Sequence, residues 1–240
     1  MKKFILILAG IFLGMFSFAQ KQFSGIYHIE NFDESVSCSI EFHESGCYEL
    51  ELSKKVTGDM INTLLLSSGK FKVKGSKITL YDDAHNYKMI FSVLENKELK
   101  VLEGFCCIIL RNFVYYGPPY ERDCLQKPET TSAEQQKERI LYKKTHKTVY
   151  PFDLGSYNGF FSQLNLQSDG RYTLYFYNVL ISDGIWGKDE NEIYLYDANL
   201  HHNFYVLVGD GKLIGKYLPG YFEGDNVLVK GNVLFGKLKL

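Results

Sequence analysis

Alanine is almost missing from this chain, with five in 240 residues, two of them among the first 19. A protein so short of the best helix former is a poor candidate for a helical bundle. Basic excess is missing too. Without the first 19 residues, 25 Lys and Arg stand against 28 Asp and Glu, a formal charge of −3. No basic patch is visible in the sequence, which excludes nucleic acid as a partner, because phosphate recognition needs one. Past residue 20 no apolar run approaches the ~20 residues that cross a bilayer, so no membrane span is expected in the mature chain. Chemical motifs are equally scarce: there is no nucleophile with its base and orienting group, no phosphate-cradling glycine loop and no helix with zinc-ligand spacing. No catalytic residue, cofactor or metal is therefore expected.

The start of the chain reads as an export signal. Lys2 and Lys3 form a positive n-region, residues 4–16 an apolar stretch, and Ser17-Phe18-Ala19 a small-residue cleavage site. Residues 1–19 are expected to be a signal peptide, which places the protein in the periplasm or outside the cell. No cysteine follows the apolar stretch, so a lipid anchor is not indicated.

What the sequence does contain is Tyr, Phe, Gly and Val, the composition of strands and turns, arranged as an internal repeat. Gly25 and Tyr27 correspond to Gly155 and Tyr157, and Ser39-Ile40-Glu41-Phe42 to Gln163-Leu164-Asn165-Leu166. Gly46-Cys47-Tyr48-Glu49-Leu50 corresponds to Gly170-Arg171-Tyr172-Thr173-Leu174, Gly69 to Gly184, and Ile78 to Asp82 to the run Ile193 to Asp197. The segment before Gly69 is longer than its counterpart before Gly184. Within each copy the period is two: Leu164 and Leu166, then Tyr172, Leu174 and Phe176, then Ile193 and Leu195, then Phe204, Val206 and Val208. Glu44-Ser45-Gly46 and Ser168-Asp169-Gly170 read as hairpin turns.

Six to eight short strands per copy, each joined to its sequence neighbour, must dispose of two open edges, and closure into a barrel removes them. The expected fold is all-β: two tandem small antiparallel meander barrels, residues 23–117 and 152–240. A single larger barrel built from both halves is the alternative. Residues 118–150 form a linker with Pro118, Pro119 and Pro128, in which Ser132 and Gln135 read as the capping box of a helix at roughly 133–144. Its few apolar residues predict a helix resting on a barrel surface.

The order Gly-x-Tyr, Gln163 to Leu166, Asp169 to Tyr172, Gly184-Ile185-Trp186 and Ile193-Tyr194-Leu195 resembles lipocalin-like (calycin-type) small β-barrels of the bacterial envelope, the N-terminal barrel of the NlpE lipoproteins among them. The resemblance spans both repeats and implies a fold and a compartment. The lipidated cysteine and Cys-x-x-Cys motifs of that family have no counterpart in this chain, so a copper, redox or stress-sensing role is not implied.

All five cysteines lie in the first copy or linker. Cys38 and Cys47 sit at different distances from the hairpin turn and would not face each other. Cys38 with Cys106 or Cys107 is the easier pairing to build, and the second copy, with Ser162 and Arg171 in place of Cys38 and Cys47, needs no disulfide. His201 and His202 with Asp197 and Asn199, and Asp82 and Asp83 with His85, form polar loops expected to be solvated. On the second copy, Tyr175, Tyr177, Tyr194, Tyr196 and Tyr205 stand opposite the core positions. Tyrosine suits partly wet interfaces, so these five are the candidate surface-binding residues, their cover being an unknown protein or glycan, the linker helix or the other barrel. About eight short strands leave an interior that side chains nearly fill. A non-enzymatic binding protein is therefore the first functional expectation, a carrier of a small apolar ligand the second and an enzyme the third.

Overall fold

The alternating runs become strands, and each strand pairs with its neighbours in sequence. The computed structural model describes residues 24–28, 35–57, 60–95, 98–104, 114–115, 131–159, 162–176, 178–219 and 227–230. The chain divides into two compact units. The first comprises residues 1–83, 88–103 and 113–128, and the second residues 84–87, 104–112 and 129–240.

In the first unit, β1 (Gly25–His28), β2 (Val36–Phe42), β3 (Cys47–Thr57), β4 (Met60–Lys74), β5 (Lys77–Asp82), β6 (Lys88–Val93), β7 (Leu99–Glu103) and β8 (Val114–Tyr115) form one antiparallel meander in sequence order. No pairing of β8 with β1 occurs among the described residues. The core face carries Ile40, Phe42, Leu50, Leu52, Phe71, Ile78, Leu80 and Phe91, each no more than 1% exposed. Phe42 meets Phe71 edge-on at 4.9 Å, the arrangement aromatic quadrupoles favour.

The second unit opens with α1 (Ser132–Thr145), followed by β9 (Gly155–Asn158), β10 (Ser162–Leu166), β11 (Arg171–Phe176), β12 (Val179–Asp189), β13 (Glu192–Asp197), β14 (His202–Gly209), β15 (Lys212–Tyr217) and β16 (Val227–Lys230). β9 pairs with both β10 and β16, so these eight strands close into a barrel. Every second-copy position expected inside is buried, from Leu164 through Val208. Among the described residues the architecture is all-β with two barrel-like sheets and one helix between them in sequence; each sheet is made from one repeat, and the single-barrel alternative is excluded.

The duplication reaches the backbone. Gly46 and Gly170 both have φ +83° in matching turns, which L side chains rarely adopt. A register shift falls after Leu50 in the first sheet and after Leu174 in the second. Each bulge turns one extra residue of the partner strand inward, so Leu66 with Ser67, and Ile181 with Ser182, are buried in succession. The longer first-copy segment before Gly69 is the extended β3–β4 hairpin.

Helix α1 differs from expectation by one residue at its start. Thr131, not Ser132, is the N-cap, and the reciprocal partner is Glu134, not Gln135. Thr131 N–H donates to Glu134 Oε2 at 2.8 Å. Glu134 N–H donates to Thr131 Oγ1 at 3.4 Å. Both frames fit the capping pattern. Glu134 is the anion, and the first turn favours a negative charge there.

A candidate recognition cleft under helix α1

None of the α1 residues is buried, so polar contacts rather than an apolar seam hold the helix on the barrel. Arg139 forks onto Glu192 at the start of β13, Nε and Nη2 each donating over 2.8 Å. Lys143 Nζ lies 2.7 Å from Asp189 and 3.4 Å from Glu192. Glu138 accepts from Lys216 Nζ at 2.8 Å and from the Tyr217 hydroxyl at 2.7 Å. These two bonds hold its carboxyl below the usual range. The Tyr142 hydroxyl donates to the Val208 carbonyl at 3.0 Å. Beyond the helix, the buried Asn191 side chain donates to the carbonyls of His146 and Thr148 and accepts from the Tyr150 N–H at 2.9 Å.

Between α1, residues 84–86 and the neighbouring parts of β13 and β14 lies a cleft of about 490 Å³. The helix contributes Ser132, Gln135, Gln136, Arg139 and Lys143, and the barrel Glu192, His202, Asn203 and Tyr205. Its charges are already matched: Arg139 and Lys143 answer Glu192 and Asp189. What is left to meet a ligand is the amides of Asn86, Gln135, Gln136 and Asn203 and the Ser132 and Tyr205 hydroxyls, beside apolar Ala133 and Ile140 and the imidazoles of His85 and His202. The Arg139 guanidinium also covers the Tyr205 ring, 3.0 Å from its centroid, a cation–π contact that fixes both side chains.

Within the cleft lining, His202 packs edge-on against Phe204 at 5.0 Å and beside His85, a residue of the same unit that also lines the cleft, at 5.9 Å. Burial pushes the His85 ring down to about 4, offset in part by a backbone hydrogen bond at Leu218. Burial, His85 and Arg139 together push His202 to about 4. Both imidazoles are therefore neutral at pH 7.

The five tyrosines are separated by the register. Tyr194 and Tyr205 are direct partners on β13 and β14, and Tyr196 shares their face. Tyr175 pairs with Leu180 at the far end of β11 and β12 from Gly187, the partner of Tyr194. Tyr177 lies outside the described residues. Tyr194 is exposed, Tyr175, Tyr196 and Tyr205 are half-buried, and Tyr205 alone lines the cleft. Sequence reasoning missed Arg139, Glu192 and Asn203, and only the Arg and Glu in complementary segments offered a signal.

Of the remaining candidates, Cys38 is buried on the core face opposite Leu52, while Cys47 adjoins the turn and pairs with Lys70. They do not face each other. Cys106 and Cys107 fall outside the described residues. Asp197 is buried rather than solvated. Its Oδ1 accepts the N–H groups of Asn199 and Leu200, and its Oδ2 the Ser182 hydroxyl. His201 is exposed, whereas His202 turns inward, so these residues do not converge on an ion. No helix among the described residues is long and apolar enough to cross a membrane. Compared with known protein families, with curated proteins and with solved structures, the chain matches none.

Proposed function

We propose that this is an exported, non-enzymatic binding protein of the bacterial envelope or exterior, a lipocalin-like tandem barrel that recognises a glycan on its outer surface. One observation carries the reading. The closed barrel is filled inside by Leu164, Tyr172, Leu174, Ile193, Leu195, Phe204 and Val206, each no more than 1% exposed, while its outer wall supports an open cleft.

The chemistry of the cleft supports a neutral polyhydroxylated ligand. Gln135, Gln136 and Asn203 offer paired donors and acceptors suited to hydroxyl groups. The internal ion pairs leave little net charge for an ionic partner, and they clamp the helix that carries Gln135 and Gln136 against the barrel before binding.

Titration of the purified chain against a panel of neutral and acidic oligosaccharides tests this. A neutral glycan is expected to bind, with affinity falling at least about tenfold in Gln135→Ala and in Asn203→Ala, the cost of one or two lost hydrogen bonds. Absence of binding across the panel, or binding indifferent to both substitutions, overturns the assignment.

A further inference from the structure

We propose that the β2–β3 hairpin of the first unit holds a divalent transition metal of the zinc type, ligated by Glu41, His43 and Glu49. Glu41 and Glu49 are direct partners across the hairpin, and His43 follows Glu41 by two residues. Their ligand atoms all lie within 4.8 Å of one another. His43 Nδ1 stands 3.9 Å from Glu41 Oε1, and His43 Nε2 stands 3.9 Å from Glu49 Oε2. Both spacings exceed a hydrogen bond. The Glu41 Oε1 atom is buried and accepts no hydrogen bond among the described residues.

Two carboxylates placed opposite each other on adjacent strands repel, and a divalent cation held between them offsets that repulsion. The His43 side chain is 1%, that of Glu49 7% and that of Glu41 13% exposed, so the three groups are largely shielded from water. The second barrel shows what the module uses when no cation is needed. Asn165, Gln167 and Thr173 occupy the three matching places, and Asn165 Nδ2 donates to Thr173 Oγ1 at 3.1 Å across the same strand pair. The first copy thus carries three metal-ligating groups where the fold itself is satisfied by neutral ones.

One imidazole nitrogen and two carboxylates make a borderline N/O donor set that suits zinc and leaves a fourth position for water. Bonds of ~2.0–2.1 Å draw tetrahedral ligand atoms to roughly 3.3 Å apart. Because an imidazole offers one nitrogen to one ion, loading the site requires the carboxylate facing the other nitrogen to rotate toward that ion.

The test titrates the purified chain with Zn²⁺ against a chromophoric chelator, and with Co²⁺ while recording its absorption. The comparison is Glu41→Asn/His43→Gln/Glu49→Thr, which installs the second barrel's set and its neutral hydrogen bond. The unsubstituted chain is expected to take up one equivalent, to melt at higher temperature with Zn²⁺, and to give a Co²⁺ spectrum without thiolate charge transfer. The triple variant is expected to lose at least about a hundredfold in affinity and the thermal shift. No uptake by the unsubstituted chain, equal uptake by the folded variant, or a thiolate band each overturns the site. Should the triple variant fail to fold, His43→Gln alone carries the comparison.

Discussion

The Tyr172 hydroxyl lies 2.7 Å from the Ser182 hydroxyl in the sealed interior of the second barrel. Ser182 in turn donates to Asp197 Oδ2 at 2.6 Å, so the tyrosine is the donor in the first bond. In the first unit Tyr48, Ser67 and Asp82 repeat the chain, both links measuring 2.6 Å. A polar relay kept in both copies, with every member buried, is a device for fixing one packing arrangement, since a partly satisfied network would be worse than none.

Removing the middle of that relay is expected to cost more than removing its end. Tyr172→Phe deletes one hydrogen bond, about 1 kcal/mol, whereas Ser182→Ala strands both the Tyr172 hydroxyl and one Asp197 oxygen, roughly 2–4 kcal/mol. Urea unfolding of the two variants and of the double variant gives the coupling directly. Equal losses for the two single changes would contradict the relay.

Gly184 tolerates no side chain. A Cβ there would stand 2.0 Å from the Tyr196 carbonyl oxygen, and Gly69 shows the same 2.0 Å conflict with Tyr81. The obstacle is backbone within the sheet, so relief requires separating β12 from β13. Gly184→Ala and Gly69→Ala are each expected to destabilise by at least ~3 kcal/mol, read as a lowered urea midpoint or loss of soluble protein. Gly211→Ala is the milder comparison: its φ is +65°, but nothing lies within 4 Å. Only αL strain, roughly 1 kcal/mol, is expected there.

The two inward histidines make the second unit acid-sensitive. Each ring is pushed down to about 4 when folded, against about 6.5 in the unfolded chain. Between those values the unfolded state binds more protons, so stability rises with pH across the window. It is fully present above about pH 6.5 and is lost as pH falls toward 4. For the buried His85 the effect is on the order of 3 kcal/mol. Denaturant midpoints measured from pH 4 to 7 are expected to climb, and His85→Gln is expected to flatten that slope. A slope unchanged by the substitution would place the acid sensitivity elsewhere.

Helix α1 should come loose without its arginine. Arg139 is the group that both neutralises the nearly buried Glu192 and covers Tyr205. Arg139→Ala leaves that carboxylate with only Lys143, 3.4 Å away and shared with Asp189, and is expected to cost roughly 2–3 kcal/mol. Hydrogen exchange should show the amides of residues 132–145 opening faster while those of β10 and β11 keep their protection, because the barrel core does not depend on the helix.

Much of the fold could be read along the chain. Alternation in Tyr172, Leu174 and Phe176 fixes which face turns inward, because successive strand side chains point to opposite sides. Glycines at 46 and 170 announce turns for the same stereochemical reason. The helix start was ambiguous because Thr131 with Glu134 and Ser132 with Gln135 satisfy the same pattern one residue apart, and local composition does not separate the two frames.

The duplication, the strand faces and the turn positions were determined by the sequence alone, since backbone sterics and side-chain periodicity act between residues close in the chain. Only the tertiary structure decided that Ser67 and Ser182 turn inward at bulges, that Arg139 lies on Tyr205, and that Glu41 and Glu49 close on His43. Each of those depends on strand register or on helix placement. A shift of one residue in pairing would send the same side chains to the opposite face.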